Sequence, residues 1–175
     1  DQVPEAKIEL NAYWVKQAGM YLVRAEKAYE EERFNTAITH YNDALAILPS
    51  LDELHQFIGL IHLQKKSWDE AISSFTRSIE SGHISAGIHN NLGVAYRDGQ
   101  GVSQDYAEAV RWFRPAADQG LADAHYNLGV MYDTGQGVPQ DDAEAVRWYR
   151  LAADQGDAEA QHNLGFMYNT GRGVP

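Results

Sequence analysis

Apolar residues along this chain fall into short groups at helical spacing, separated by polar or glycine-rich turns, and the groups themselves recur. Phe34, Ala37, Ile38, Tyr41 and Ala44 form one stripe, because residues three and four apart share a helix face. The stripe returns at Trp68, Ala71, Ile72, Phe75 and Ser78. Each is preceded by a helical segment carrying a small residue, Ala25 or Gly59, that lets a neighbouring helix approach closely. Further on the repetition tightens. Ala86 to Leu121 and Ala122 to Asp157 are nearly the same sequence, and Ala158 to Pro175 begins it a third time. A period this regular predicts an array of helix pairs, each too small to bury its own apolar face and so obliged to stack on the next.

The local signals divide the chain into a leading helix over 1–17 and units over 18–51, 52–85, 86–121, 122–157 and 158–175, the last reaching only its first helix and turn. Pro4 suits a first helical turn, Ile8, Tyr13 and Trp14 supply an apolar side, and whether the helix continues through Gly19 stays open. Ser50 to Glu53 and Ser67 to Glu70 have the capping-box form and predict helix starts. Asp105 with Glu108, and Asp141 with Glu144, predict capped starts in the later units. The pairs Gly99 and Gly101, Gly135 and Gly137, Gly171 and Gly173 read as a helix stop and a tight turn. Pro49 closes the first helix pair. Pro115, where the next unit has Leu151, predicts a kink near Arg111 to Pro115.

With the small residue, the Ala, the aromatic, the second Ala and the closing Pro in order, residues 18–85 resemble two tetratricopeptide repeats. Tyr21 and His55 stand where that family has Trp, and Ser78 and His83 replace the late Ala and final Pro of the second unit. The sequences Asn-Leu-Gly-x-x-Tyr, Gly-x-Gly-Val, Gln-Asp-x-x-Glu-Ala-Val-x-Trp and Ala-Ala-Asp-Gln-Gly over 86–175 resemble the Sel-one-like repeat. The resemblance implies an all-α, right-handed α-solenoid of stacked antiparallel helix pairs, and an adaptor or scaffold for protein complexes. Cysteine-rich members of the family hold a disulfide in each repeat; this chain has no Cys.

Composition removes whole classes of function. The net charge of −11 is spread over both halves without a basic stripe, which argues against nucleic acid and anionic lipid and favours apolar or basic protein partners. No apolar run is long enough to insert in a bilayer. Without Cys there is no thiolate metal site or cysteine nucleophile. The start at Asp1 fits a matured secreted chain or an excised segment, with a bacterial periplasm ahead of the cytoplasm, and the stop at Pro175 suggests a fragment or truncated array.

Candidate chemistry dissolves into the repeat. His55, His89 and His125 occupy equivalent positions, but helix axes about 8–10 Å apart do not bring such a ladder onto one metal ion, so packing is the expected role. Gly-x-Gly-Val lacks the Lys and Ser/Thr of a nucleotide loop, and Trp112-Phe113 with Trp148-Tyr149 recur as interhelical core. Capping explains the carboxylate pairs, no Ser, His and Asp set stands apart, and no enzyme, metal or cofactor is expected.

What remains is a face. In a right-handed helix-pair solenoid the first helices line the concave side, and the register of the tetratricopeptide repeats that the chain resembles projects Leu22, Glu26, Tyr29, Gln56, Leu60, Leu63, Asn90, Val94, Arg97, Tyr126, Val130, Asp133, His162, Phe166 and Asn169 along a groove. This strip varies between copies where the stacking residues do not. The expectation is a peptide segment or helix of another protein, anchored on Tyr29, Leu60, Val94, Tyr126 and Phe166, with Glu26 and Asp133 selecting charge. Leu22 and Glu26 occupy places of the Lys and Asn set that clamps terminal carboxylates in some tetratricopeptide domains, so capture of a C-terminus is disfavoured. Self-association through the open end near Leu164 is the alternative, as is a regulatory repeat domain of a larger protein.

Overall fold

The computed structural model describes residues 5–82 and 85–173, with side chains from residue 11 onward. Pro4, the Ile8 side chain, His83 and Pro175 lie outside the described residues. Among the described residues the chain is all-helical: α1 (Glu5–Glu30), α2 (Phe34–Ile47), α3 (Leu54–Gln64), α4 (Trp68–Glu80), α5 (Ala86–Asp98), α6 (Tyr106–Asp118), α7 (Ala122–Thr134), α8 (Asp142–Ala153) and α9 (Ala158–Thr170). They form two compact units, Asp1–His83 and Ile84–Pro175. In each unit successive helices pack as pairs, and the pairs stack.

The leading segment and the first helix of the first repeat are one element. α1 runs unbroken through Gly19, and Tyr13 and Trp14 stay exposed, their rings meeting edge to face at 5.1 Å. The core of this unit begins lower, where Ala25, Ala28, Ala37, Tyr41, Ala44, Leu54, Ile58 and Ile61 close on one another.

The rule that pairs helices is the same in both units. A Cβ added at Gly59 would meet the ring of Phe75 at 2.5 Å, one at Gly93 the ring of Phe113, and one at Gly129 the ring of Tyr149. Each first helix thus receives an aromatic ring from its own second helix at a residue that lacks a side chain. Burying one such ring is worth about 1.5–3 kcal/mol, and close packing removes any room to replace the glycine. In the second unit the cores lie between layers: Ala109, Val110 and Phe113 of α6 against Ala124, Leu128 and Met131 of α7, then Ala145, Val146 and Tyr149 of α8 against Ala160 and Met167 of α9.

Helix ends follow two chemistries. Asp105 accepts from the Glu108 amide at 3.0 Å, and Asp141 from the amides of Ala143 and Glu144. The cap residues' own amides donate to Tyr96 and Tyr132 carbonyls of the preceding helices. Glu108 and Glu144 are therefore not needed to reach back, and pair with Arg111 and Arg147 instead. Gly99, Gly135 and Gly171 end α5, α7 and α9 in the left-handed conformation, and the following amides of Gln100, Gln136 and Arg172 close Schellman bonds to Ala95, Met131 and Met167.

The serine boxes behave differently from expectation. α3 starts at Leu54, not beside Ser50, because Leu51 to Glu53 first form a short turn of backbone bonds such as Leu54 N to Leu51 O. Ser67 does precede α4, but its side chain makes no capping bond. Pro115 lies inside α6, which runs past it to Asp118.

Candidate functional site

The projected strip separates into a polar lattice and an apolar groove. In the second unit, Asn90 is buried and its Oδ1 accepts from Asn127 Nδ2 at 3.0 Å. Asn127 Oδ1 accepts from Arg97 at 2.7 Å, and Arg97 also grips Asp98. One repeat later Asn163 faces the hydroxyls of Tyr126 and Tyr149. Asp133 accepts from Arg172 at 2.7 Å and from the Tyr149 hydroxyl at 3.3 Å, while Arg172 makes a second pair with Asp142. Burial and the Asp133 charge together push the Tyr149 hydroxyl well above the ordinary tyrosine range.

Asn90, Arg97 and Asp133 thus have their hydrogen bonds spent inside the array. Tyr126 is half-buried with its ring 6.0 Å from that of Tyr149, and burial raises its hydroxyl pKa, with Glu159 adding to the shift. Val94 and Val130 are half-buried against the cores. On α9, His162, Phe166 and Asn169 are exposed. In the second unit the sequence reading misses Asn127, for which the recurrence of the Asn-Leu-Gly motif at Asn91, Asn127 and Asn163 is the available signal.

The first unit offers the groove. Tyr29, Phe57 and Leu60 are 38%, 42% and 41% exposed although all are large and apolar. Together with Tyr41 and Ile61 they surround a cavity of about 250 Å³. Phe57 stacks on Tyr41 at 6.1 Å, and the Tyr29 ring lies 5.9 Å from Phe34. Gln64 fixes the Tyr29 hydroxyl by donating to it at 2.9 Å. Glu26 is exposed beside this cluster; after burial, its charge is the next cause of the raised pKa of Tyr41. Leu22 is drawn into the adjoining core, and Gln56 and Leu63 are half-buried on α3. Phe57 was not projected from the sequence, since it lies one position off the strip.

Two of the three ladder histidines pack against indoles, while His55 lines an open cleft between α2, α3 and α4. His89 lies under Trp112 at 5.7 Å, and His125 lies under Trp148 at 5.6 Å with its ring nitrogens 3.0 Å from the Ala117 carbonyl and from Gln155 Nε2. Among the described residues no group of His, Asp or Glu is placed to hold a metal ion, and no helix is long and apolar enough to cross a membrane.

Known proteins share this architecture. The Sel1 repeat model matches residues 89–121, 122–157 and 158–175. A protective antigen of uropathogenic Escherichia coli with an SLR fold superposes with a TM-score of 0.80 at 27% identity, over 99% of this chain and 38% of that one. A Sel1 repeat protein from Oxalobacter formigenes gives 0.73 at 30% identity, over 87% of this chain and 63% of its own. In sequence, 92 residues are 26% identical to the E3 ubiquitin-protein ligase CHIP of Arabidopsis thaliana, covering 53% of this chain and 32% of the ligase. The chain therefore spans about a third of that ligase and of the antigen, and under two thirds of the Oxalobacter protein. The stacked helix pairs, the glycine and aromatic sockets and the matched repeats make this chain an all-α repeat protein whose residues 89–175 are Sel1 repeats.

Proposed function

We propose that this chain is a noncatalytic adaptor that holds a peptide segment or helix of another protein, apolar with a basic neighbour, in the groove at the first helices of its first unit. The observation that carries the reading is the cluster of Tyr29, Phe57 and Leu60 around an apolar cavity, with the Glu26 carboxylate beside it. Exposed apolar side chains gathered round a hollow are the usual form of a hot spot, whereas scattered ones need no explanation. An aliphatic or aromatic side chain would fill the hollow, and a Lys or Arg one helical turn away would meet Glu26. The broader role as an interaction scaffold is general among Sel1 and tetratricopeptide repeat proteins. The second unit carries Tyr126, Val130 and Phe166 as the apolar residues of its own strip.

Selection from a displayed peptide library tests this directly. Enriched peptides are expected to pair an apolar anchor with a basic residue, and to lose at least tenfold in affinity against Tyr29→Ala/Leu60→Ala with helicity unchanged. Peptides without that pairing, or affinity indifferent to both substitutions, would overturn the assignment.

A further inference from the structure

On another side of α3 a second cleft, of about 460 Å³, opens between α2, α3 and α4. Its origin follows from placing the repeats in register on their sockets, Gly59 with Phe75, Gly93 with Phe113 and Gly129 with Tyr149. In that register His55, four residues before Gly59, is equivalent to His89 and His125. The rings of His89 and His125 are each covered by an indole, from Trp112 and Trp148, the residues immediately before the socket aromatics. The residue immediately before Phe75 is Ser74, and its hydroxyl donates to the Glu70 carbonyl at 2.8 Å. No indole reaches His55 from that position.

Two more positions shrink in the same place. Between α6 and α7, Arg114 donates to the Tyr132 hydroxyl at 2.9 Å. The pair recurs as Arg150 with Tyr168 between α8 and α9. The equivalent residues of the first unit are Asn42 and His62, both of which line the cleft, and Nδ1 of His62 is buried without a hydrogen-bond partner. The cleft is thus the space that an indole and a Tyr–Arg pair fill one unit later.

We propose that this cleft binds an indole ring, seated over His55 as Trp112 and Trp148 sit over their histidines, beside the His62 ring. Burial lowers the pKa of both His55 and His62, so both rings are neutral at pH 7 and offer an acceptor nitrogen. A flat ring over an imidazole gains stacking contact beyond its buried area. Arg77 on one side, and Asp69 with Glu70 on another, leave the substituent on the indole open to two sources, a tryptophan side chain of a polypeptide or a free indole compound.

The probes are indole, free tryptophan and N-acetyltryptophanamide, followed by the ring signals of His55 and His62 in histidine-labelled protein by NMR. Saturable shifts of both rings are expected. Binding of the blocked amide assigns a polypeptide source, and binding confined to indole or free tryptophan assigns a small molecule. Ser74→Trp should supply the ring from within and abolish the shifts. Asn42→Arg/His62→Tyr rebuilds the pair by an independent route, should weaken binding at least tenfold read at His55, and serves if the first variant does not fold. No saturable shift with any probe at millimolar concentration, or shifts that survive closure in a folded variant, would overturn the proposal. Tyr29→Ala/Leu60→Ala should leave these shifts unchanged, which separates this site from the groove.

Discussion

Asn127 donates its side-chain amide to Oδ1 of Asn90 across 3.0 Å, tying the first helices of two successive repeats together in a buried layer. Its own Oδ1 is held by Arg97 at 2.7 Å, so a single amide satisfies a donor and an acceptor that the fold has removed from water. Asn127→Ala is expected to cost about 1–3 kcal/mol, because it strands Asn90 and a guanidinium N–H rather than merely deleting a bond. The measurement is the urea midpoint at unchanged helicity. Asn90→Ala combined with it should cost less than the sum of the two, since each removes the same bridge; additive costs would show that the bridge carries no energy.

The glycines of the Asn-Leu-Gly motif look identical in sequence and differ in what faces them. A Cβ at Gly129 would sit 2.5 Å from the Tyr149 ring, whereas one at Gly165 meets nothing within 4 Å. Gly129→Ala should therefore destabilise by about 1–3 kcal/mol through overpacking. Gly165→Ala should instead stabilise α9 by up to about 1 kcal/mol, the ordinary helix-propensity gain. Thermal melts of the two variants read the difference, and equal shifts would contradict the socket.

Much of this fold is legible in the sequence because its devices are local. Asp105 and Asp141 cap within three residues of themselves, and Gly99, Gly135 and Gly171 stop helices by their own backbone freedom. The first unit hides its stops, since Glu32 and Lys66 take the left-handed position with φ of 56° and 57°, where no glycine marks it. Ser50 misleads for a related reason: a capping box states what a serine can do, while the turn through Leu51 decides where the helix begins. A repeat register fixes the face on which a residue of the strip lies but not its partner. Asn90, Arg97 and Asp133 find theirs 30 or more residues away, across a repeat boundary.

Pro115 lies inside α6 where its counterpart Leu151 lies in α8, and both carbonyls accept from a glutamine four residues on, Gln119 at 3.0 Å and Gln155 at 3.1 Å. The two carbonyls meet the same kind of partner, and Leu151 shows that a leucine side chain tolerates 39% exposure at this position of the repeat. Pro115→Leu restores an amide that can reach the Arg111 carbonyl and relieves the ring's crowding of the preceding turn. A gain of about 1–3 kcal/mol is expected, read as a higher melting temperature. An unchanged or lower one would mean that the chain around Arg111 has settled into a shape that needs the proline.

Acid should loosen the second unit through His89. The ring is buried under Trp112, its Nδ1 has no hydrogen-bond partner, and burial lowers its pKa below the ordinary value. Lowering the folded pKa means that the unfolded chain binds the proton first as pH falls. Stability is therefore fully present above about pH 6.5 and declines between there and the folded pKa, below which the loss is complete. His55 and His62 shift the same way and add to the slope. Melting temperature measured from pH 7.5 downward should fall below about pH 6.5. His89→Phe keeps a ring under the indole without a titrating nitrogen, and should make the descent shallower by the share His89 contributes. A descent of the same steepness in that variant would assign the acid sensitivity to the other histidines or to the carboxylates.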